Sequence, residues 1–464
     1  MSETFNNALK QVTDWISAYQ DNIRDYPVVS QQAPGELLKN LPAGPSDEAE
    51  GFETIFKDFR DLIVPGITHW QHPKFFGYFP ANSSPPSILA EMLIAAMGVQ
   101  GMSWSTSPAA TELEIRVMEW LREALGFDQG FTGVIQDSAS SSTTIAMLVA
   151  RERATDFTVN ERGYQNYQLT AYCSEEAHSS VEKAAKVIGI GRENLRKVPV
   201  DDHQQMRIDL LEQMIKDDRA AGKQPFFVVG AFGTTGTTAC DDLAAINQIA
   251  KKNNLWFHVD AAYAGSALIL PEIRHLADGI NDADSIVVNP HKWLFTTFDC
   301  SAFFVKHPQA LVDTLAILPE YLKTFSDGQV VNFRDWGLGL GRRFRSLKLW
   351  FVMRWYGIAG MQEMIRNQIH LTKTLASKIA DDPRFEIKVT GHFNLLCFRL
   401  RGSCLANKEL MQRLNESGKL FLTHTKINGQ IVLRLAVGQM QVTAADIDES
   451  WATIASMAPV ALSE

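Results

Sequence analysis

Three short apolar runs, Phe226–Gly230, Leu255–Val259 and Ser285–Val288, follow one another along the chain, with a helical pattern at Asp242–Lys252 between the first two. At that length, and rich in β-branched and aromatic residues, they read as buried strands rather than helices. Strands alternating with helices stack into layers, with helices covering a largely parallel sheet. The chain is therefore expected to be an α/β protein with a mostly parallel central sheet, carried by a large domain at residues 85–347. In such open sheets, ligands bind outside the carboxyl ends of the strands.

The flanks read differently. Residues 1–84 form an arm with a helical pattern at Asn7–Tyr19, breaks at Pro27, Pro34, Pro42 and Pro45, and a second helical pattern at Ala49–Val64. It has little core of its own, so it is expected to pack on a partner subunit and serve dimerisation. Residues 348–464 read as a small α+β domain. Its strands are Phe385–Val389, Leu395–Leu400, Leu420–Lys426 and Gln430–Leu435, the last two flanking the hairpin signal Asn428-Gly429. Helices are expected at Asn407–Glu416 and Ala444–Met457. In the large domain, Thr111-Glu-Leu-Glu114 has the form of a capping box, followed by Val117, Trp120, Leu121 and Ala124 at helical spacing, with Gly126 as the stop.

Charge narrows the classes. Lys+Arg total 44 against 53 Asp+Glu, a formal charge of −9, which argues against nucleic-acid or membrane-surface partners. Five cysteines, scattered and without CxxC pairs, read as reduced thiols and suggest neither disulfides nor a metal site. The opening MSETFNNALKQV lacks a basic segment followed by an apolar core, and the longest uncharged stretch, Met92–Thr111, is broken by glycines and hydroxyls. A cytoplasmic protein is expected.

Chemistry concentrates at strand ends. Asn289-Pro290-His291-Lys292-Trp293 follows the Ser285–Val288 run, and His258-Val-Asp260-Ala-Ala262-Tyr263 closes the run before it. A lone lysine there would read as a surface residue. Beside an aspartate at a neighbouring strand end, it reads as the pair a pyridoxal 5′-phosphate (PLP) enzyme needs: an amine to form the imine and a carboxylate to keep the pyridinium nitrogen protonated. Ser138-Ala139-Ser140-Ser141-Ser142-Thr143-Thr144 precedes an apolar run and forms a hydroxyl-rich helix start, a ready anion site. Gly233-Thr234-Thr235-Gly236-Thr237-Thr238 adds further donors. No GxxxxGK[ST] occurs in either, which disfavours a nucleotide triphosphate. His178, before another helical pattern, reads either as a capping residue or as a plate stacked on the cofactor ring.

Together with Pro65-Gly-Ile-Thr-His-Trp70, Gly77-Tyr78-Phe79-Pro80, Ala177-His-Ser-Ser-Val-Glu182 and Gly341-Arg-Arg-Phe-Arg-Ser-Leu-Lys348, these motifs give a chain that resembles the group II PLP-dependent decarboxylases, nearest their aromatic-L-amino-acid branch. The resemblance implies PLP fold type I and a homodimer with active sites at the interface. It implies that Lys292 carries the cofactor, Asp260 pairs with the ring nitrogen, Ala262 lies beneath the ring and His178 above it. Ala139, Ser140, Thr235, Asn289 and His291 would line the phosphate side. Tyr321 would protonate the carbon left when CO₂ departs. Trp70, Tyr78, Phe79, Pro80, Ala81, Met102 and Gly341 would border the substrate. Ala81 stands where the family often has threonine, so Asn82 is the candidate replacement in holding the substrate carboxylate. Gly339 stands where animal members often have proline. Gln100 and Met102 stand where apolar and aromatic residues are common in the pocket wall from the second subunit. Decarboxylation of an aromatic L-amino acid (tryptophan, 5-hydroxytryptophan, DOPA, tyrosine or phenylalanine) is the expected activity. The alternatives are histidine or an acidic amino acid as substrate, aromatic aldehyde synthesis or another PLP reaction, and a non-enzymatic scaffold.

Overall fold

Strand-forming runs buried on both faces leave their backbone groups one outlet, the neighbouring strand, and a wide sheet results. In the computed structural model, which describes residues 2–317 and 328–459, the large sheet holds β1 (Thr132–Gln136), β2 (Leu169–Ser174), β3 (Leu195–Val198), β4 (Gln224–Ala231), β5 (Trp256–Asp260), β6 (Ser285–Val288) and β7 (Ser301–Val305). Their order across the sheet is β1-β7-β6-β5-β4-β2-β3. Only β7 runs against its neighbours, β1 and β6; the other pairings are parallel. Every residue of β2, β6 and β7 is buried. The helices Ala139–Ala154 and Ser179–Val187 pack Ile145, Val149, Val181 and Ala184 against this sheet.

The helix expected from the Thr111–Glu114 box starts earlier. It runs Pro108–Leu125, and the Ser107 hydroxyl accepts the Ala110 N–H at 3.2 Å. Proline at the first helical position suits the helix start, since its missing N–H would have had no partner there. The box therefore falls inside the helix. Glu114 turns into the core, accepting the Ile135 N–H at 2.8 Å and pairing with Arg342 at 2.7 Å.

The chain divides into two compact units. One spans residues 81–369 with 391–393 and contains the seven-stranded sheet; the other combines residues up to Pro80 with 370–390 and the chain from Asn394 onward. In the second unit, β8 (Phe385–Thr390), β9 (Leu395–Leu400), β10 (Thr423–Ile427) and β11 (Gln430–Ala436) form an antiparallel sheet in the order β10-β11-β9-β8. Asn428 and Gly429 both take positive φ, 50° and 75°, as a two-residue hairpin turn requires. The arm is built into this unit. The Phe76 N–H donates to the Phe421 carbonyl at 2.9 Å, and the Ala436 N–H to the Phe76 carbonyl at 3.0 Å. Phe76 is fully buried in a core with Leu396, Leu422 and Leu435. Among the described residues, no helix is long and apolar enough to cross a membrane.

Candidate active site

Asp260 and Lys292 stand at the carboxyl ends of adjacent parallel strands. Asp260 closes β5 opposite Val287 of β6, and the pairing continues past both ends: the Asn289 N–H donates to the Ala262 carbonyl at 3.0 Å. Asp260 Oδ1 accepts the Ala262 N–H at 3.1 Å, which fixes the carboxylate's orientation. Pro290 then opens a single helical turn, Pro290–Trp293, that carries Lys292. Trp293 anchors the turn: its buried ring stacks on Tyr263 at 5.1 Å, and its indole N–H donates to Gln368 at 2.5 Å. Asn289 is buried, its Oδ1 accepting the Ser301 hydroxyl at 2.7 Å.

Two histidines have their tautomers set by backbone amides. The Cys300 N–H donates to His291 Nδ1 at 2.9 Å, leaving the proton on Nε2. Burial, helped by the charge of Lys292, pushes the His291 pKa down to about 3. His178 caps the helix Ser179–Val187, its Nδ1 accepting the Ser180 N–H at 3.2 Å. Desolvation lowers its pKa, Lys292 adds to the shift and Asp260 opposes it. His178, Asp260 and Lys292 thus lie within electrostatic reach of one another, and His178 is neutral with Nε2 protonated.

The hydroxyl-rich segment forms the helix start the sequence predicts. The Ser138 hydroxyl accepts the Ser141 N–H at 3.2 Å. The amides of Ala139 and Ser140, in the first turn of Ala139–Ala154, have no place in the helical ladder and point off its end. Thr143 ties this turn to β5 through His258, whose Nε2 lies 3.4 Å from its hydroxyl. The loop after β4 folds on itself, with the Thr234 hydroxyl accepting the Ala239 N–H at 3.1 Å and Thr235 exposed. Gly233 sits at φ 89°, where a Cβ would come within 2.4 Å of that of Ala264, so only glycine fits. This donor set suits a phosphorylated pyridine aldehyde: orphan helix amides and a neutral imidazole N–H for the phosphate, an amine for the aldehyde, a carboxylate for the ring nitrogen, and buried Ala262 for its face.

The residues expected near the substrate fall into two sets. In the unit holding the arm, Trp70 stacks on Tyr78 at 5.7 Å, and the Arg434 guanidinium lies 4.5 Å from the Phe79 ring centroid. A Cβ on Gly438 would come within 2.5 Å of Pro80, so this stretch is closely packed. In the other unit stand Ala81, Met102 and Gly341. The Met102 carbonyl accepts the Arg334 N–H at 2.9 Å, and Gln100 Oε1 accepts the Arg342 N–H at 2.6 Å. Tyr321 lies outside the described residues.

In the Gly341–Lys348 motif, Arg342, Arg343, Arg345 and Lys348 carry no individual role in the sequence reading. In the fold, its cations are ties. Lys348, 1% exposed, pairs with Glu91 at 2.5 Å and donates to the Thr297 and Asp299 carbonyls, while Arg345 pairs with the Asp299 carboxylate at 2.9 Å. The available signal was four cations in a short stretch leading into an apolar helix. Lys348 and Arg345 hold the segment that follows the Lys292 turn, whereas Arg342 and Arg343 pair with Glu114 and Glu91.

Buried neutral histidines also make stability depend on pH. His258 is fully buried, bonded through Nδ1 to Ser285 at 2.9 Å, and burial takes its pKa to about 4 although Asp260 opposes the shift. His258 and His291 bind fewer protons folded than unfolded. Their contribution is therefore complete above the ordinary pKa of 6.5 and drains away as pH falls towards the folded values. Each should cost about 1.4 kcal/mol per pH unit in that window. Denaturation followed from pH 8 to pH 5 should show this loss, and His258→Asn should flatten the slope by about one proton. An unchanged slope in that variant would refute the assignment.

Comparison with known proteins places this geometry in context. Residues 34–401 match the family model described as the pyridoxal-dependent decarboxylase conserved domain. The chain is 42% identical to aromatic-L-amino-acid decarboxylase of Mus musculus, covering 98% of each chain. It is also 42% identical to phenylacetaldehyde synthase of Arabidopsis thaliana, over 96% of this chain and 93% of the relative. The crystal structure of Oryza sativa TDC with PLP and tryptamine superposes with a TM-score of 0.96 at 35% identity, covering 99% of this chain and 98% of that one.

Proposed function

Because the chain belongs to the pyridoxal-dependent decarboxylase family, we propose that it converts an aromatic L-amino acid to the corresponding amine and CO₂, using PLP held by Lys292. The observation that supports this reading is the carboxylate of Asp260 and the amine of Lys292 at the carboxyl ends of β5 and β6, with the imidazole of His178 at the start of the helix that follows β2. PLP supplies an electron sink for the pair left at Cα when a bond there breaks. Lys292 anchors the cofactor, and Asp260 holds its ring nitrogen protonated. His178 and Ala262 would pack against the cofactor ring. The amides of Ala139 and Ser140, with Thr235, Asn289 and His291, secure the phosphate side. Tyr321 returns a proton to Cα.

For the substrate side, we assign Trp70, Tyr78, Phe79, Pro80, Ala81, Met102 and Gly341. Their apolar and aromatic character favours a ring; the cation beside them, Arg434, is engaged by the Phe79 ring and the Tyr78 carbonyl, so a buried side-chain carboxylate would be costly. CO₂ release measured across the twenty amino acids, DOPA and 5-hydroxytryptophan tests the reading. Glutamate, aspartate or histidine as the best substrate by kcat/KM would overturn the aromatic assignment and leave the cofactor chemistry standing. The Arabidopsis relative, a phenylacetaldehyde synthase, makes aldehyde plus ammonia the second outcome to assay.

Gly341 borders the ring in this reading. Its backbone is outside the left-handed region, and a Cβ there would lie 3.2 Å from Gln100 Nε2, the end of a flexible side chain. Gly341→Ser should therefore fold and narrow the pocket. We expect indole substrates to lose more than phenols, by about 1–3 kcal/mol in transition-state binding. Equal losses in kcat/KM for both classes would remove Gly341 from the specificity determinants.

We also propose a cytoplasmic homodimer with active sites at its interface, the arm contributing to dimerisation. Leu89, Leu93 and Met97, spaced along one face of the helix Pro85–Met97, are 45–52% exposed in the single chain. Such an apolar stripe supports a partner surface. Sedimentation should give twice the 51.8 kDa chain mass, and a monomer retaining full activity would contradict the assembly. Five free cysteines support a reducing compartment; activity confined to a membrane pellet on fractionation would argue otherwise.

A further inference from the structure

Asn82 is a polar residue with almost no solvent exposure, 1%, and it touches the Lys292 turn directly. Its backbone N–H donates to the His291 carbonyl at 3.2 Å, and its Nδ2 donates to the Lys292 carbonyl. One residue thus stitches two consecutive peptide units of the turn that carries the amine. The side chain's orientation follows from chemistry: a carbonyl needs a donor, so Nδ2 must face Lys292 and Oδ1 must face away. Oδ1 is buried without a hydrogen-bond partner. A buried acceptor left unpaired is destabilising, so stability alone gives no reason for an amide here.

This geometry does not suit Asn82 to the role expected from the sequence. A substrate carboxylate cannot use the acceptor Oδ1, and the burial leaves it little access to the side chain.

We propose that Asn82 is a positioning residue for Lys292: it fixes the peptide of the cofactor-bearing lysine and so sets the reach and protonation of its amine. Pro290 and Trp293 hold the ends of the turn, and Asn82 holds its middle. The inference rests on the reading of Lys292 as the cofactor-bearing lysine.

The test uses the full chain, loaded with PLP and stripped of it. Asn82→Ala removes the donor. Asn82→Asp keeps the shape but sets a carboxylate against the Lys292 carbonyl. Three quantities are read: PLP affinity, the pH dependence of the bound cofactor's visible absorbance, and apo-protein thermal stability. Asn82→Ala should weaken PLP binding about tenfold, the scale of one lost hydrogen bond. It should also move the pH at which the absorbance changes and lower kcat more than KM. Asn82→Asp should show larger effects. Should Asn82→Ala bind PLP with wild-type affinity and an unmoved pH profile, the proposal fails. It also fails if both variants only lower the apo-protein melting temperature. Wild-type protein that bound no PLP on Lys292 would instead sink the underlying cofactor reading.

Discussion

Lys292→Ala is expected to lose turnover by at least about a thousandfold, the scale seen when a covalent catalytic group is deleted. Lys292 rides a turn pinned by Pro290, Trp293 and Asn82, and no neighbouring lysine occupies the same turn. A second amine could not reach the same position without moving that backbone. Borohydride should fix the cofactor covalently to the wild-type chain, and peptide mapping should find it on Lys292. The variant should show no such adduct. The residues proposed to hold the phosphate, Ala139, Ser140 and His291, are untouched in the variant, so residual non-covalent binding of PLP is expected. Normal activity together with a borohydride-stable adduct in the variant would refute the assignment.

Tyr321→Phe is expected to change what the enzyme makes. The variant removes one hydroxyl, and with it the acid proposed to reach Cα after CO₂ leaves. An electron pair held there without a proton source is exposed to dioxygen. Oxidation by dioxygen and hydrolysis would give aldehyde, ammonia and hydrogen peroxide in place of amine. We expect amine output to fall by about a hundredfold, within the range for loss of a general acid, with CO₂ release falling much less. Peroxide and aldehyde should rise in equal amounts and stop when oxygen is excluded. An unchanged amine yield would remove Tyr321 from the mechanism. The same assay separates the decarboxylase from an aldehyde synthase in the wild-type chain.

What could be read in advance was what short-range patterning controls. The strands ending in Asp260 and Val288 were visible because runs buried on both faces are mostly apolar, and the Asn428-Gly429 turn because both positions need positive φ. The helix start at Pro108 was misread because Thr111–Glu114 has a cap's spacing while Glu114 serves a buried pair with Arg342, more than two hundred residues away in sequence. Such long-range partners leave no local mark. The same holds for Asn82, which differs from a loop asparagine only through the carbonyls it meets. Likewise, nothing in the spacing of Cys300 told that its amide would fix the His291 tautomer.

The strand-like segment at Phe75–Phe76 meets partners, Phe421 and Ala436, supplied by the far end of the chain. During synthesis, the first eighty residues therefore leave the ribosome long before their hydrogen-bonding and apolar neighbours exist. Residues 81–369 supply all of their unit except 391–393, and this stretch can mature while the arm waits. The emerging polypeptide must hold the apolar side chains of Phe75 and Phe76 unsatisfied through most of translation, a natural point of engagement for chaperones. Ribosomes stalled before codon 421 should carry an arm open to proteolysis, and release of the complete chain should close it.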